Sequence, residues 1–554
     1  MMLRTDIPAA AGLGEGLSVA AREWLLAALV LLVGTAALGV AAPHHGEFWW
    51  SDAPRHALNG VFVKDLVATM PAHPGAWAMQ YYVKYPALTI LFYPPLFYAI
   101  SAPFYAVFGV SHATALSVVL VHYFALAFGL YLLARCWVSP LTAMAVGLAA
   151  MAAPGIALWG RQVMLEVPSV AFAVWAALLL RHYTAAARPG ALYLAIVLLL
   201  CATYTKITTI FLFPVFALVL LVVQGPGVLR ERRTWIVAGL AIVGLLPLIF
   251  LTIKFGSANV QSVVGIPDAA VSRTSVAGWI WYARQLPWQL GWPLLALGVL
   301  AIPLAAARKL PERFTTSDRV LIGGWFLAGY LFLSMIDLKE ARHALVFLPA
   351  VLLAAGISLD ALLTSRVAGP ALVALVVGTG IYTWRDAPTP SVDGYREAAE
   401  WIAREAPKDA VVVFSGKRDG SFIFNMRSIE SRPDISIVRS DKLLLDVAVR
   451  RTLGVRQAQL SEQEIGTLLD RDSVSYVVAQ DDFWTDLPVM ARFQAVLRSA
   501  HFAEAAQIPV VANVPTEDTN LRIYRNLDPI TSGPHTVDLH LPIIGETVKG
   551  TIGR

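Results

Sequence analysis

The feature that most limits how this chain can fold is a succession of long apolar runs across its first 385 residues, each nearly free of charge. An α-helix needs about 20 apolar residues to cross a bilayer core. Runs near 24–42, 114–133, 140–158, 164–182, 191–204, 207–223, 236–253, 287–306, 320–337, 343–363 and 369–385 reach or approach that length. They predict a polytopic all-α membrane domain of about 11–13 transmembrane helices. Composition agrees. Only 15% of the 554 residues are charged and 57% are hydrophobic, whereas a soluble domain carries about a quarter charged residues. The net charge of +5 is small for this length, and no basic run with interleaved aromatics occurs, which argues against nucleic acid as a partner. Cys136 and Cys201 both lie inside apolar runs and suggest neither a disulfide nor a metal site. The first run, from Trp24 to Ala42, is long enough to stay in the membrane as an anchor.

Positive charges in short loops mark the cytoplasmic side of a membrane protein. Arg135, Arg181 to Arg188, Arg230 to Arg233, Arg308 to Arg319 and Arg366 mark one side. Loops 43–85, 159–163, 205–206, 254–286 and 338–342 then face outward. This parity requires the Pro-rich segment 86–108 to enter and leave on one side, as a juxtamembrane or re-entrant element or a helical hairpin. Residues 1–385 are thus expected to form the membrane domain, with 43–85 as its outward first loop. After Tyr382 the pattern changes, with the Pro-rich joint Ala387-Pro388-Thr389-Pro390 between the two parts. A helical pattern over 395–405 and strand-like runs at 411–414, 435–438, 476–479 and 521–524 predict a small α/β domain over 386–554. By parity that domain is extracytoplasmic, and its last residues, from about 529, are expected to form a loose tail.

Ionisable groups at membrane depth cost roughly 2.5–3.5 kcal/mol each and mark function by default. Here they gather on the outward side. The first loop holds His44, His45, Glu47, Asp52, Arg55, His56, Lys64, Asp65, His73 and Lys84. Arg161 and Glu166 lie at the outer end of one run, Lys206 between two others, and Asp337, Lys339, Glu340, Arg342 and His343 at the head of a later one. A sugar carried on a polyprenyl phosphate would use such a set. Lys and Arg stabilise the departing phosphate, a carboxylate takes the proton of the acceptor hydroxyl, and an apolar groove holds the lipid. No nucleotide-binding fingerprint is present, as expected when the donor is made elsewhere.

Four stretches, in order, make the chain familiar: Ser51-Asp52-Ala53-Pro54-Arg55-His56-Ala57, then Tyr93-Pro94-Pro95-Leu96-Phe97-Tyr98 ending in Phe108-Gly109-Val110-Ser111, then Arg161-Gln162-Val163-Met164-Leu165-Glu166-Val167-Pro168, and Arg342-His343-Ala344-Leu345-Val346-Phe347-Leu348-Pro349. Together, over roughly 40–385, the chain resembles polytopic GT-C glycosyltransferases, in particular lipid A aminoarabinose transferases and protein O-mannosyltransferases of the dolichyl-phosphate-mannose type. The resemblance implies that Asp52 is the catalytic first-loop aspartate and Glu166 a second acidic residue of the reaction. It implies that Arg55, Lys84 and Arg342 contact the donor phosphate. Arg161, Lys206, His56 and His343 complete the expected substrate-binding set. The chain departs from the family in having no Asp-Glu pair after Ser51 and no Asp-x-Asp. No metal ligands are therefore assigned and no cofactor is required, although a divalent metal is compatible.

Each residue also has a plainer reading. Ser51-Asp52-Ala53-Pro54 is a good helix start, Arg55 and Lys84 are charges that can snorkel at an interface, and Lys417-Arg418-Asp419-Gly420 reads as a polar turn after a strand. His44 and His45 are adjacent and so diverge, which argues against a zinc pair with Asp52. The expected protein is an inverting, multi-pass transferase of the cytoplasmic membrane. It would move a sugar from a polyprenyl-phosphate donor to a hydroxyl of a lipid, glycan or protein at the outer face. The rival is a transporter or flippase of an anionic lipid-linked glycan, which would usually show repeated halves; none is visible here.

Overall fold

The computed structural model describes residues 18–266, 269–447, 451–530, 535–541 and 546–552. Every apolar run is helical. In chain order the first helices are α1 (Val19–Val40), α2 (Asp52–Thr69), α3 (Pro74–Lys84), α4 (Leu96–Phe108), α5 (His112–Ala134), α6 (Pro140–Ala152), α7 (Pro154–Gly160), α8 (Glu166–Ala186) and α9 (Pro189–Thr205). They continue with α10 (Leu212–Gln224), α11 (Arg232–Val263), α12 (Val276–Leu290), α13 (Trp292–Ala306), α14 (Thr316–Ser334), α15 (Leu348–Leu362) and α16 (Ser365–Asp386).

Six of the described helical segments are long and apolar enough to cross a membrane: α1, α5, α8, 207–230, 232–256 and α16. The bent pair α6–α7, which turns by 65°, brings the number to seven. The chain is a multi-pass membrane protein. Four further helices, α4, α9, α13 and α15, are apolar but shorter. The α6–α7 bend has a local cause. Pro154 opens α7 and holds Ala153 in an extended conformation, as a residue before proline prefers. The segment 86–108 is an irregular stretch followed by the single helix α4, which packs along α2. Tyr105 donates its hydroxyl hydrogen to Ala57 O at 3.2 Å, and Gly60 leaves room for Tyr105 and Ser101.

Beyond α16 the chain is mixed. The helix predicted for 395–405 is α17 (Tyr395–Glu405), and α18 (Asp419–Ser428) follows a buried strand. The four predicted strands all occur, as Val411–Ser415, Ser436–Arg439, Val474–Gln480 and Leu521–Asn526. They join Phe502–Ile508 in one five-stranded sheet. Its spatial order is 436–439, 411–415, 474–480, 521–526, 502–508, with the first three strands parallel and the last two antiparallel. The segment expected to be a loose tail differs. His535–Leu541 and Glu546–Ile552 pair as an antiparallel ribbon. That ribbon docks on α3, where Gln80 both donates to Thr551 O at 2.6 Å and accepts from Thr551 N at 2.9 Å. A two-stranded ribbon is marginal alone, so its weak internal pattern gave no sign of a fold supplied by contact with α3.

Candidate active site

Two helix N-termini supply the carboxylates. Asp52 is the first residue of α2 and Glu166 the first of α8, where unpaired backbone N–H groups and the helix dipole favour negative charge. The cations come from opposite kinds of position. Lys206 caps the C-terminus of α9, which pairs with α8 as a helical hairpin. Arg342 lies in the short turn Ala341–Val346 before α15. Folding brings the four together. Arg342 Nη2 donates to Asp52 Oδ2 at 3.0 Å, and Arg342 Nε lies 3.6 Å from Glu166 Oε1. Lys206 pairs with the same Glu166 oxygen, and Glu340 pairs with Arg342 Nε. His343 Nε2 is 4.0 Å from Glu340. The Glu166 side chain is 3% exposed and that of Arg342 12%.

Aromatic rings wall this cluster. The Arg342 guanidinium sits 5.8 Å from the Trp159 ring, close enough for a cation–π contact. Trp159 in turn lies 4.8 Å from Trp50. His56 Nδ1 is 2.9 Å from Tyr98 Oη, and its ring stands edge-on to Tyr93 at 4.7 Å. The electrostatics follow from burial and neighbours. Burial pushes the Asp52 carboxyl up, but the Arg342 guanidinium beside it outweighs this and holds it below the usual aspartate value. Burial pushes His56 down to about 4 and His343 well below its ordinary value, so both are neutral at neutral pH. Burial, with the Asp52 carboxylate close by, pushes the Tyr93 phenol well up. Three carboxylates, Asp52, Glu166 and Glu340, thus share two cations, Arg342 and Lys206. Glu166 Oε2, His343 Nδ1, Trp50 Nε1 and Trp159 Nε1 are buried there without a hydrogen-bond partner.

The other expected residues lie elsewhere. Arg55, expected at a phosphate, turns to the C-terminal region and holds Asp419 through contacts of 2.8, 3.1 and 3.2 Å. Lys84 donates to Pro433 O in the same region. Arg161 is buried and donates to Ala157 O at 3.0 Å and Ala387 O at 3.4 Å. It thereby satisfies carbonyls at the C-terminal ends of α7 and α16, a normal use of a cation at helix ends. Asp52, Glu166, Lys206, Arg342 and His343 are brought together, with His56 behind them. The sequence reading counts Glu340 among the outward charges but gives it no role, and leaves Tyr93, Trp50 and Trp159 out of the site. Tyr93 carried a signal, as the first residue of the Pro-Pro stretch, and Glu340 lies two residues before Arg342. The two tryptophans read as ordinary interfacial aromatics.

A family model described as dolichyl-phosphate-mannose-protein mannosyltransferase matches residues 93–250. The chain superposes on the crystal structure of ArnT from Cupriavidus metallidurans in the apo state, with a TM-score of 0.63 at 14% identity, covering 94% of this chain and all of that one. The fold is that of the GT-C glycosyltransferases. A second ArnT structure, bound to undecaprenyl phosphate, matches the chain with a TM-score of 0.61 over 92% of it and 98% of ArnT, also at 14% identity. The apo oligosaccharyltransferase of Archaeoglobus fulgidus matches at 12% identity and a TM-score of 0.53, covering 85% of this chain and 71% of that one. The same archaeal enzyme has also been solved in complex with Zn and sulfate; that structure matches with a TM-score of 0.51. No curated protein sequence matches the chain. Among the described residues, no group of three or more His, Cys, Asp or Glu side chains is gathered as a metal ion would need. The positive charge that the chain itself presents to an anion in the cluster is that of Arg342 and Lys206.

Proposed function

We propose that the protein is an inverting glycosyltransferase of the cytoplasmic membrane that acts at its outer face, with the α/β region on the periplasmic or equivalent side. The donor would be a sugar on a polyprenyl phosphate and the acceptor a hydroxyl of a lipid, glycan or protein. The observation that carries this reading is the meeting of Asp52, Glu166, Arg342 and Lys206 from four separate segments at helix ends. The family match over 93–250 and the undecaprenyl phosphate in the ArnT structure lend it support.

In this reading Asp52 accepts the proton of the acceptor hydroxyl. The hydroxyl oxygen bonds to the anomeric carbon on the face opposite the phosphate. The bond from that carbon to the phosphate oxygen breaks, and polyprenyl phosphate leaves with the electron pair. A single displacement inverts the anomeric centre. Arg342 and Lys206 neutralise the charge that grows on the leaving phosphate, a contribution worth most in a buried, low-dielectric site. Arg342 now pairs with Asp52, so a phosphate taking the guanidinium would free Asp52 and raise its basicity as the donor binds. Glu166 orients both cations, and the Trp159 and Trp50 indoles offer N–H donors and ring faces to the sugar.

The test uses the purified full-length protein, a labelled polyprenyl-phosphate sugar and the Asp52→Asn variant. Transfer, or slow donor hydrolysis, is expected in the wild type and is lost in the variant while its melting behaviour is kept. Equal turnover in both proteins rules out Asp52 as the base. Movement of intact donor across a liposome without sugar transfer favours a flippase.

A further inference from the structure

The first turn of α2 is held by two partners. Arg342 of the membrane domain grips Asp52, and α18 of the C-terminal region packs on the residues next to it. Residues 418–425 reach the segment around Asp52 at four points. Arg418 donates to Trp49 O and stacks 4.5 Å from the Trp49 ring. Asp419 receives Arg55 through both carboxylate oxygens. A Cβ on Gly420 would meet Pro54 Cγ at 3.1 Å, Arg55 Cγ at 3.5 Å and Ser51 O at 3.6 Å. Asn425 Nδ2 donates to Gly46 O at 3.2 Å. Asp419 is itself fixed by Arg439 at 2.7 Å, and Arg439 by Asp441 at 2.6 Å and by Pro86 O at 3.3 Å. Bidentate guanidinium–carboxylate pairs have a fixed planar geometry, so this chain of charges transmits position as well as attraction. Arg55 lies three residues after Asp52, one turn along the helix, and such neighbours share a face.

We infer that Asp419 is a positioning residue for Asp52: through Arg55 and the close packing at Gly420, the C-terminal region sets the first turn of α2 and so the placement of the carboxylate. The inference rests on the transferase reading above. On this basis the C-terminal region acts on the reaction through the placement of Asp52. Misplacement by about 1 Å is enough to cost a reaction some 100-fold, and Asp419 need not touch substrate to exert that effect.

The experiment compares full-length wild type, Asp419→Asn, Arg55→Ala, the double variant and Lys64→Ala in lipid nanodiscs. Lys64 pairs with Glu430 at 3.1 Å, further along the same α2–α18 contact, and controls for docking in general. Two quantities are read: kcat and KM for a polyprenyl-phosphate sugar, and amide hydrogen exchange over residues 50–58. Asp419→Asn is expected to lower kcat at least 10-fold, leave the donor KM within 2-fold and speed exchange in the first turn of α2 by 10-fold. The double variant should be no worse than the worse single one, because both break one linkage, and Lys64→Ala should match wild type. Unchanged kcat, unchanged exchange or independent, multiplicative losses in the double variant would each overturn the inference. If Asp419→Asn fails to fold, Gly420→Ala serves in its place, with a smaller fall in kcat alone. A wild type that transfers no sugar sinks the transferase reading by itself, and the exchange measurement still decides the clamp.

Discussion

Two buried charge clusters meet at the first turn of α2, and they are built differently. In the clamp, Arg55, Asp419, Arg439 and Asp441 form a chain of paired guanidinium and carboxylate groups with short contacts. Around Asp52, three carboxylates share Arg342 and Lys206, and Glu166 Oε2, His343 Nδ1 and two indole nitrogens are left without partners. Buried polar atoms are nearly always paired, and each exception calls for an explanation. None of these four residues is among those with a buried, unpartnered side-chain atom in the described part of the chain, as suits a rigid joint. The Asp52 cluster has capacity to spare and an arginine that can exchange one anion for another, as a site that binds and releases phosphate should.

Breaking the Asp52 cluster is expected to have the largest effect. Asp52→Asn removes the base and should lower kcat by about 10²–10⁴-fold with little change in melting temperature, measured by transfer assay and thermal unfolding in parallel. Arg342→Met comes next. It strips the phosphate cation and leaves Asp52, Glu166 and Glu340 with Lys206 alone, so both donor binding and stability should fall. Removing one partner of a buried pair costs about 3–5 kcal/mol, which a denaturation series would show. Asp419→Asn in the clamp is the intermediate case, lowering kcat and loosening the first turn of α2 while the donor KM stays within 2-fold.

The pH profile sharpens the comparison further. Asp52 is held below its ordinary value by Arg342, so in free enzyme it is ionised throughout the neutral range. The acid limb of kcat/KM should therefore lie below the ordinary aspartate value of about 3.9, with activity lost only as pH falls through the depressed pKa. The limb for kcat should lie higher, because bound phosphate draws Arg342 away. Coincident limbs would mean that the donor leaves the Asp52–Arg342 pair intact. The stability that this pair contributes has the same sign: it is present above the unfolded-state value and lost on acidification through the folded one. The smallest effect is expected for Lys64→Ala, an ion pair with one partner half-exposed, where the change in stability should stay within about 1 kcal/mol.

The membrane helices were legible because apolar run length answers directly to bilayer thickness. The α/β sheet was legible because its strands at 411–415 and 474–480 are almost wholly buried and so read as short continuous apolar runs. Asp52 and Arg342 stood out because charge is costly beside such runs. Lys417-Arg418-Asp419-Gly420 did not, since a polar tetrapeptide after a strand has the composition of any turn. Its role depends on Arg55, 364 residues away, and sequence spacing carries no trace of that contact. The same holds for Arg161, a substrate-binding candidate by position that the fold uses to close two helix ends.

By itself, then, the sequence determined the membrane character of the chain, the change to a mixed α/β region after Tyr382 and the stock of costly ionisable groups, because each follows from local solvation and periodicity. Only the tertiary structure decided which of those groups meet. Partner choice among buried charges is settled by the packing of helix ends far apart in the chain, and one turn of α2 sends Asp52 and Arg55 to different partners.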